Sequence, residues 1–238
     1  MEVHHPKTAV HSLRELGKEV GIIVIGVLIA LGAEQAVEAM HWAHQMDVQR
    51  TALRRELVIN ANWFAERVAI ADCLTARRGL LEAALAQPGN DWKAEAVLPG
   101  AAKRSVYPVA WRNFPGQSWQ NAVANGAASR MSPEEMLAYA AVYGDISDMH
   151  QMNIQEQLAA LQLSDLEQDT ALSETSRDRF HKALDELKFY SGGATGIAQE
   201  SLQQLKAMHI SPSASDLHDI LADDHALYGS CVRTTAAG

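Results

Sequence analysis

The stretch VGIIVIGVLIALGA at residues 20–33 decides the fold that this sequence predicts. It has no charged and no strongly polar side chain, whereas the remainder of the chain alternates apolar with charged positions. These residues reach about 21 Å as a helix, so a crossing of the roughly 30 Å hydrocarbon core needs flanking residues as well. We therefore predict a transmembrane helix over residues 19–40, with Glu34 and Glu38 near the lipid headgroups and Trp42 at the interface.

Basic residues near this stretch predict its orientation. None lies between Glu34 and Gln49, whereas three precede the stretch, namely Lys7, Arg14 and Lys18. Because positive charge beside a span marks its cytoplasmic side, we expect residues 1–18 to be a cytoplasmic segment and residues 41–238 to be exported. In a Gram-negative bacterium this describes a single-pass inner-membrane protein with a periplasmic domain.

Two other interpretations of residues 20–33 stay open. Ala30-Leu31-Gly32 follows a charged region and a short apolar run, which is also the pattern of a cleaved signal peptide. Apolar runs of this length occur as buried core helices of soluble proteins as well. The basic residues before the run and the acidic residues after it favour a membrane span over a core helix.

Helical signals continue almost throughout the remaining chain, so we predict an all-α fold. One stem helix is expected to run on to Pro88, with an apolar stripe at spacings of three and four formed by Leu53, Leu57, Ala61, Phe64, Val68, Ala71 and Leu74. Arg50, Arg54, Glu66 and Arg77 take its other faces. No period-two strand pattern is found, so no sheet is expected. The predicted architecture is an N-terminal transmembrane helix that continues into the stem and packs in an antiparallel helical bundle.

Cap signals predict where helices begin. Ser12 can cap the stem helix through Glu15, and Ser132-Pro133-Glu134-Glu135 opens a helix that we expect to reach about Leu163. After the polar residues 164–174, a further helix is expected that carries apolar positions from Phe180 to Met208. Ser191-Gly192-Gly193 would kink or split it, or form a close helix contact. A last short helix is expected over residues 214–228.

The two cysteines, Cys73 and Cys231, lie in the stem helix and near the C-terminus. An oxidising compartment would favour one disulfide between them, which would tie the tail to the stem. The alternative is a pair of buried thiols that never meet.

Two stretches carry a resemblance to known proteins. They are RELGKEVGIIVIGVLIALGAEQ at residues 14–35 and SWQNAVANGAASRMSPEEMLAYAAVY at residues 118–143, which includes Trp119, Ala122, Gly126 and Met131. They resemble a group of uncharacterised, membrane-anchored helical proteins of Gram-negative bacteria that share a domain of unknown function. The resemblance implies a single-pass anchor and an exported helical domain, and it carries over no catalytic residue.

Potential ligands stand one helical turn apart just after the span. The series is Glu38, His41, His44 and Asp47, a spacing that suits a metal ion or a tetrapyrrole in a helical bundle if a second helix completes the ligand set. Interfacial histidines beside Trp42 that bind nothing are the alternative. We expect no other cofactor.

Two further clusters favour structural interpretations. Asp216, His218, Asp219, Asp223, Asp224 and His225 spread around one helix, which predicts a solvated face rather than a cation site. The glycine-rich residues 191–196 lack the preceding strand and the following lysine of a phosphate-binding loop.

Aromatic side chains and prolines concentrate in residues 88–117, which we expect to be irregular. The aromatic residues of this region, with one that follows it, are Trp92, Tyr107, Trp111, Phe114 and Trp119, and they are interleaved with Pro88, Pro99, Pro108 and Pro115. Rigid aromatic loops make good docking surfaces, because they bury a large area at little entropic cost. The alternative is a lid that covers one end of the bundle.

Small residues inside the predicted span suggest a partner helix. Gly17-x-x-x-Gly21 and Gly26-x-x-x-Ala30 would allow close packing, and Glu34 would be better accommodated beside a partner than beside acyl chains. The expected partners are the lipid bilayer and either other integral membrane subunits or a second copy of the chain. A net charge of −9 excludes nucleic acid as a partner.

These observations favour a non-catalytic, membrane-anchored interaction protein that serves as a scaffold or an accessory subunit of an inner-membrane complex. The alternative is a metal- or tetrapyrrole-binding module that uses His41 and His44. An enzyme is not expected, because no nucleophile, base and orienting group can be assembled from the sequence.

Overall fold

A computed structural model describes residues 13–99 and 105–233 of the chain. The predicted Ser12 cap and Lys7 lie outside the described residues. The helices are α1 (Leu13–Leu85), α2 (Ala94–Val97), α3 (Gln117–Ala124), α4 (Pro133–Leu161), α5 (Glu174–Ala207) and α6 (Ala214–Tyr228). Helix makes up 78% of the structure, which confirms the all-α prediction.

The chain divides into two compact units, Met1–Val48 and Gln49–Gly238. The described part of the first unit is the N-terminal portion of α1. The second unit contains the remainder of α1 and all the other helices.

Short polar residues fix the helix starts that the sequence predicts. The Ser132 hydroxyl accepts a hydrogen bond from the Glu135 amide at 3.1 Å, and Pro133 occupies the first helical position. Ser173 and Ser213 cap α5 and α6 in the same way. Each cap satisfies an amide that the first turn of a helix otherwise leaves without a partner.

Helices α4 and α5 pack against each other in opposite directions. The Ser201 hydroxyl donates a hydrogen bond to Asp145 at 2.9 Å near the start of α4, and the Gln162 amide, which follows α4, donates one to Glu186 at 3.0 Å. Residue numbers therefore increase along α4 in the direction in which they decrease along α5. This is the predicted antiparallel packing.

Helices α1 and α4 run in the same direction. Glu56 of α1 accepts a hydrogen bond from Tyr143 at 2.8 Å, and Arg67, further along α1, bonds to Glu156, further along α4. The two helices can be parallel because residues 86–132, which connect them in sequence, return the chain from the end of α1 to the start of α4.

Helix α6 also follows the direction of α1. The amide of Ser213, just before α6, donates to Asn62 at 2.8 Å, and Arg233, after α6, bonds to Asp72. Among the described residues of Gln49–Gly238, α1, α4 and α6 therefore run in one direction, and α5 runs in the opposite direction.

The core of this unit lies between the second half of α1, the irregular segment and α5. Its largest fully buried side chains are Tyr107, Phe64, Phe180, Leu53, Leu57, Ile70, Leu74, Leu81, Leu85, Met149, Leu163 and Leu166. The predicted stripe supplies several of them, so the spacing of three and four along α1 was a sound indicator of its buried face.

A small sheet corrects the expectation that none would form. Strand β1 (Asp91–Trp92) pairs antiparallel with β2 (Thr170–Ala171), and Trp92 donates its indole hydrogen to the Leu166 carbonyl at 2.9 Å. Two residues per strand are too few to leave a periodic signal in the sequence. The pairing fastens the irregular segment to the α4–α5 connection.

Candidate functional site

The apolar stretch of α1 is exposed along its whole length. Every Val, Ile and Leu from Leu16 to Leu31 is exposed, with Ile22 at 72% and Ile29 at 68%. Among the described residues, α1 is the one helix that is long and apolar enough to cross a membrane, and none of its most apolar window is buried. This is the exposure that lipid contact requires, and it contrasts with the buried positions Leu53 and Leu57 of the same helix.

The small residues of this stretch lie on two sides of α1. At about 100° per residue, Gly17 and Gly21 lie on the side of α1 opposite to Gly26 and Ala30. Glu34 continues the side of Gly26 and Ala30, since the three are spaced by four residues. A side chain added at Gly21 or Gly26 would meet nothing within 4 Å. The stretch therefore has two small-residue faces on opposite sides of α1. The face of Gly26 and Ala30 continues to the Glu34 carboxylate.

The predicted ligands Glu38, His41 and His44 stay apart from other ligating groups. All three side chains are exposed, and Glu38 and His41 line a shallow depression together with Ala33, Glu34 and Val37. In residues 13–99 and 105–233, no three His, Cys, Asp or Glu side chains converge in a metal-binding arrangement. A metal or tetrapyrrole at His41 and His44 would need further ligands, and it stays a prediction.

The two cysteines meet. Their sulfur atoms are 2.11 Å apart and their Cα atoms 5.4 Å apart, across a sequence separation of 158 residues. The alternative of two distant thiols is therefore wrong. Two further contacts fix the same tail to α1, because Arg233 donates its amide hydrogen to the Ala69 carbonyl at 3.1 Å and its guanidinium to Asp72.

Most of the aromatic segment lies inside the fold, which corrects the docking-surface prediction for its members. Trp92 and Tyr107 are buried, as is Phe114, whose ring contacts those of Trp63 and Phe64. Side chains that are buried in their own core cannot present area to a partner. The alternative of a lid describes them better.

Two aromatic residues remain to be placed. Trp111 is 46% exposed and packs edge-on to His150. Trp119 is half-buried and stacks on Tyr143 and Tyr139, with ring centroids 5.7 and 6.2 Å apart. Trp111 is thus the one member of the predicted docking set with a largely open side chain.

A carboxylate of α1 organises the start of α3. Glu56 accepts hydrogen bonds from the Tyr143 hydroxyl and from the Ser118 amide in the first turn of α3. An anion at a helix N-terminus is favoured by the helix dipole and by the free amides there. Burial and the adjacent Glu56 raise the pKa of Tyr143 above its ordinary value.

The interior contains a buried charge cluster, defined here as the buried Glu66, Arg67, Glu156 and Asp224 together with Arg112, whose side chain is 36% exposed. Arg67 donates two hydrogen bonds to Glu156, at 2.6 and 2.7 Å, and two more to the carbonyl and hydroxyl of Ser191. Its Nε has no partner. This pair joins α1, α4 and α5 at one level of the bundle.

A second ion pair of the cluster joins α1 to the irregular segment. Arg112 donates to both oxygens of Glu66, at 2.7 and 2.8 Å. The pKa of Arg112 is raised, chiefly by its hydrogen bonds to Glu66. A small cavity of about 10 Å³ lies between the Arg67 and Arg112 pairs, beside Trp63 and Asn153. Such a volume suits about one water molecule.

Sequence reasoning missed this cluster. It assigned Glu66 to an outer face of the stem and Asp224 to a solvated face of α6, yet both are buried. Arg67 was not singled out at all. The signal that could have found them is the interruption that Glu66-Arg67 makes between the apolar positions Phe64-Ala65 and Val68-Ala69-Ile70.

The remaining sequence clusters are placed as follows. In the late acidic group, Asp216, His218, Asp219 and Asp223 are exposed, as expected of a solvated face. Residues 191–196 lie inside the unbroken α5, where a Cβ added to Gly193 would come within 3.3 Å of the Met152 sulfur. Gly193 therefore makes the predicted close helix contact, and the glycines do not split the helix.

No family model, no curated protein and no solved structure matches this chain. The resemblance of residues 14–35 and 118–143 to uncharacterised membrane-anchored proteins therefore stays a prediction. Several residues of the second stretch have packing roles, since Ala122 is fully buried and Gly126 adopts a positive φ of 78°.

Proposed function

We propose that this chain is a non-catalytic, single-pass membrane protein whose periplasmic bundle acts as a scaffold or accessory subunit of an inner-membrane complex. The observation that carries the proposal is the fully exposed apolar stretch of α1, in a helix whose later residues form the core of a bundle. Exposed Ile, Val and Leu at this density are stable in lipid or against another apolar surface.

The polar interior supports a structural role. Arg67 pairs with Glu156 and Arg112 pairs with Glu66. The charged side chains of these two pairs therefore connect separate elements of the fold. The Cys73–Cys231 bond supports residence in an oxidising compartment, since such bonds persist outside the cytosol.

The expected partner face is the side of α1 that carries Gly26, Ala30 and Glu34. Close approach of a second helix at Gly26 and Ala30 would increase packing contact, and the partner could supply a hydrogen bond or a cation to Glu34. The partner is a membrane helix of another subunit or of a second copy.

Extraction of the full-length chain in mild detergent, followed by mass determination of the particle, tests the proposal. We expect the wild type to migrate with partner subunits or further copies, and Gly26→Leu to release it. Gly21→Leu is the matched control, because it makes the same change on the opposite side of α1. A lone wild-type monomer under gentle extraction, unchanged by either substitution, would contradict the proposal.

A further inference from the structure

Asp224 is the unmatched member of the buried charge cluster. It lies in α6 and is 4% exposed, and its Oδ2 atom has no hydrogen-bond partner. A buried carboxylate without a partner is costly when ionised, because it has lost its water and gained no donor in return.

The charges that act on Asp224 lie on three elements. Glu66 lies on α1, Arg112 on the irregular segment and Asp223 on α6 itself. Arg67 of α1 and Glu156 of α4 act on the adjacent Tyr228. On α6 itself the titratable neighbours are Asp223 and Tyr228, and the Tyr228 hydroxyl donates to the Pro108 carbonyl at 3.1 Å. Tyr107 of the irregular segment faces the Arg67–Glu156 pair.

The charges of this group balance only when Asp224 is neutral. Arg112 uses its hydrogen bonds on Glu66, and Arg67 uses its own on Glu156 and Ser191. These two pairs already cancel, so ionised Asp224 would leave one uncompensated negative charge beside Glu66. Protonation removes that charge.

Helix α6 is fixed at both ends by specific bonds, and few of the residues between its ends are buried. Its start is fixed where the Ser213 amide bonds to Asn62, and its end is fixed by the Cys73–Cys231 bond. Leu221 and Asp224 are its two buried residues. A helix with so little buried apolar surface belongs to the part of a structure that opens most easily.

We infer that α6 is a proton-dependent latch, which packs on α1 while Asp224 is protonated and opens between its two tethers when Asp224 ionises. The pKa of Asp224 is raised to about 7, first by burial and then by the neighbouring Glu66. The change therefore falls at pH values that an exported domain meets. This inference does not depend on the proposed membrane partner.

The direction of the effect follows from linkage. In the opened state Asp224 is hydrated, with an ordinary pKa of about 3.9, so ionisation favours opening. Below a pH of about 3.9 the equilibrium constant for opening has its lowest value. Between that pH and the raised pKa of Asp224, the constant increases by at most about tenfold per pH unit. Above it the equilibrium levels off.

Hydrogen exchange measured by mass spectrometry on the full chain in detergent tests the latch. Exchange of the peptide that covers α6 is followed from pH 5 to pH 8.5 and corrected for the intrinsic pH dependence of amide exchange. We expect the corrected rate of the wild type to rise with pH and then level off. Asp224→Asn, which mimics the protonated carboxyl, should give a low and flat profile.

Asp223→Asn is the matched control, since it removes the adjacent exposed carboxylate and should leave the wild-type profile. A flat wild-type profile, or a rising profile in Asp224→Asn, would overturn the latch. If Asp224→Asn fails to fold, infrared spectroscopy of wild-type protein decides the question. A carboxylic-acid carbonyl band that is present at about pH 6.5, where carboxyls of ordinary pKa are ionised, and that disappears by pH 8.5 supports the latch, and its absence at about pH 6.5 overturns it.

Discussion

Arg67 and Glu156, which lie 89 residues apart in the sequence, face each other in the interior through two hydrogen bonds of 2.6 and 2.7 Å. Their side chains are 4% and 0% exposed. An ion pair at this depth gains little over a well-packed apolar pair, because both charges lose their hydration. Replacing one member of the pair is strongly destabilising, because the other charge then stays buried without a counterion.

Glu156→Gln should therefore destabilise the protein strongly. We expect the free energy of unfolding to fall by about 3–5 kcal/mol, because Arg67 would keep its charge and lose its counterion. Chemical denaturation followed by circular dichroism measures the change. Lys182→Ala, which removes an exposed ion pair with Glu186, is the control and should cost less than about 1 kcal/mol. Equal effects of the two substitutions would contradict this account of the interior.

Removal of the Cys73–Cys231 bond should lower stability through the unfolded chain. For a loop of this length the chain-entropy model gives about 5 kcal/mol, and strain in the folded state reduces that figure. We expect the Cys73→Ala, Cys231→Ala double variant to unfold at lower denaturant concentration. Thiol labelling of unfolded wild-type protein without reductant should find no free thiol, and labelling there would refute the bond.

Two arginines in the apolar stretch of α1 should prevent stable membrane insertion. Val24→Arg combined with Leu28→Arg should cost about 5–7 kcal/mol, since each arginine near the centre of a span costs about 2.5–3.5 kcal/mol. Carbonate extraction of membranes should then release the variant, whereas the wild type stays in the pellet. Leu137→Arg replaces an equally exposed apolar residue of α4 and should leave the wild-type distribution. Retention of the double variant would argue against the span.

Alkaline unfolding should accompany the ionisation of buried tyrosines. Burial raises the pKa of Tyr107, Tyr139 and Tyr143, the first to about 12. Stability from these phenols is present below their ordinary value of about 10 and is lost as the pH rises through the raised folded values. We expect most tyrosinate absorbance to appear together with the loss of helical circular dichroism. Full ionisation in a protein that is still helical would contradict the burial of these rings.

The helix ends were predictable because their signals are local. Ser132 and Ser213 cap the helices that begin after them, and α1 ends three residues before Pro88. Each of these signals acts within about four residues, so no knowledge of the tertiary fold is needed.

The buried charge cluster was not predictable in this way. A periodic pattern assigns Glu66 and Asp224 to the surface, because isolated charges are rarely buried. Their burial depends on partners from distant segments, since Arg112 lies 46 residues after Glu66. The same reason explains why the sequence left open whether the aromatic segment is a docking surface or a lid, since the packing of Phe114 on Trp63 of α1 joins distant segments.

The Cys73–Cys231 bond also bears on how the chain is made. Cys73 emerges from the ribosome long before its partner, and 158 positions separate the two in translation order. The cross-link can therefore form only after nearly all of the helical bundle has been synthesised. A polypeptide truncated before residue 231 would keep a free Cys73 thiol, so thiol content distinguishes an unfinished chain from the complete one.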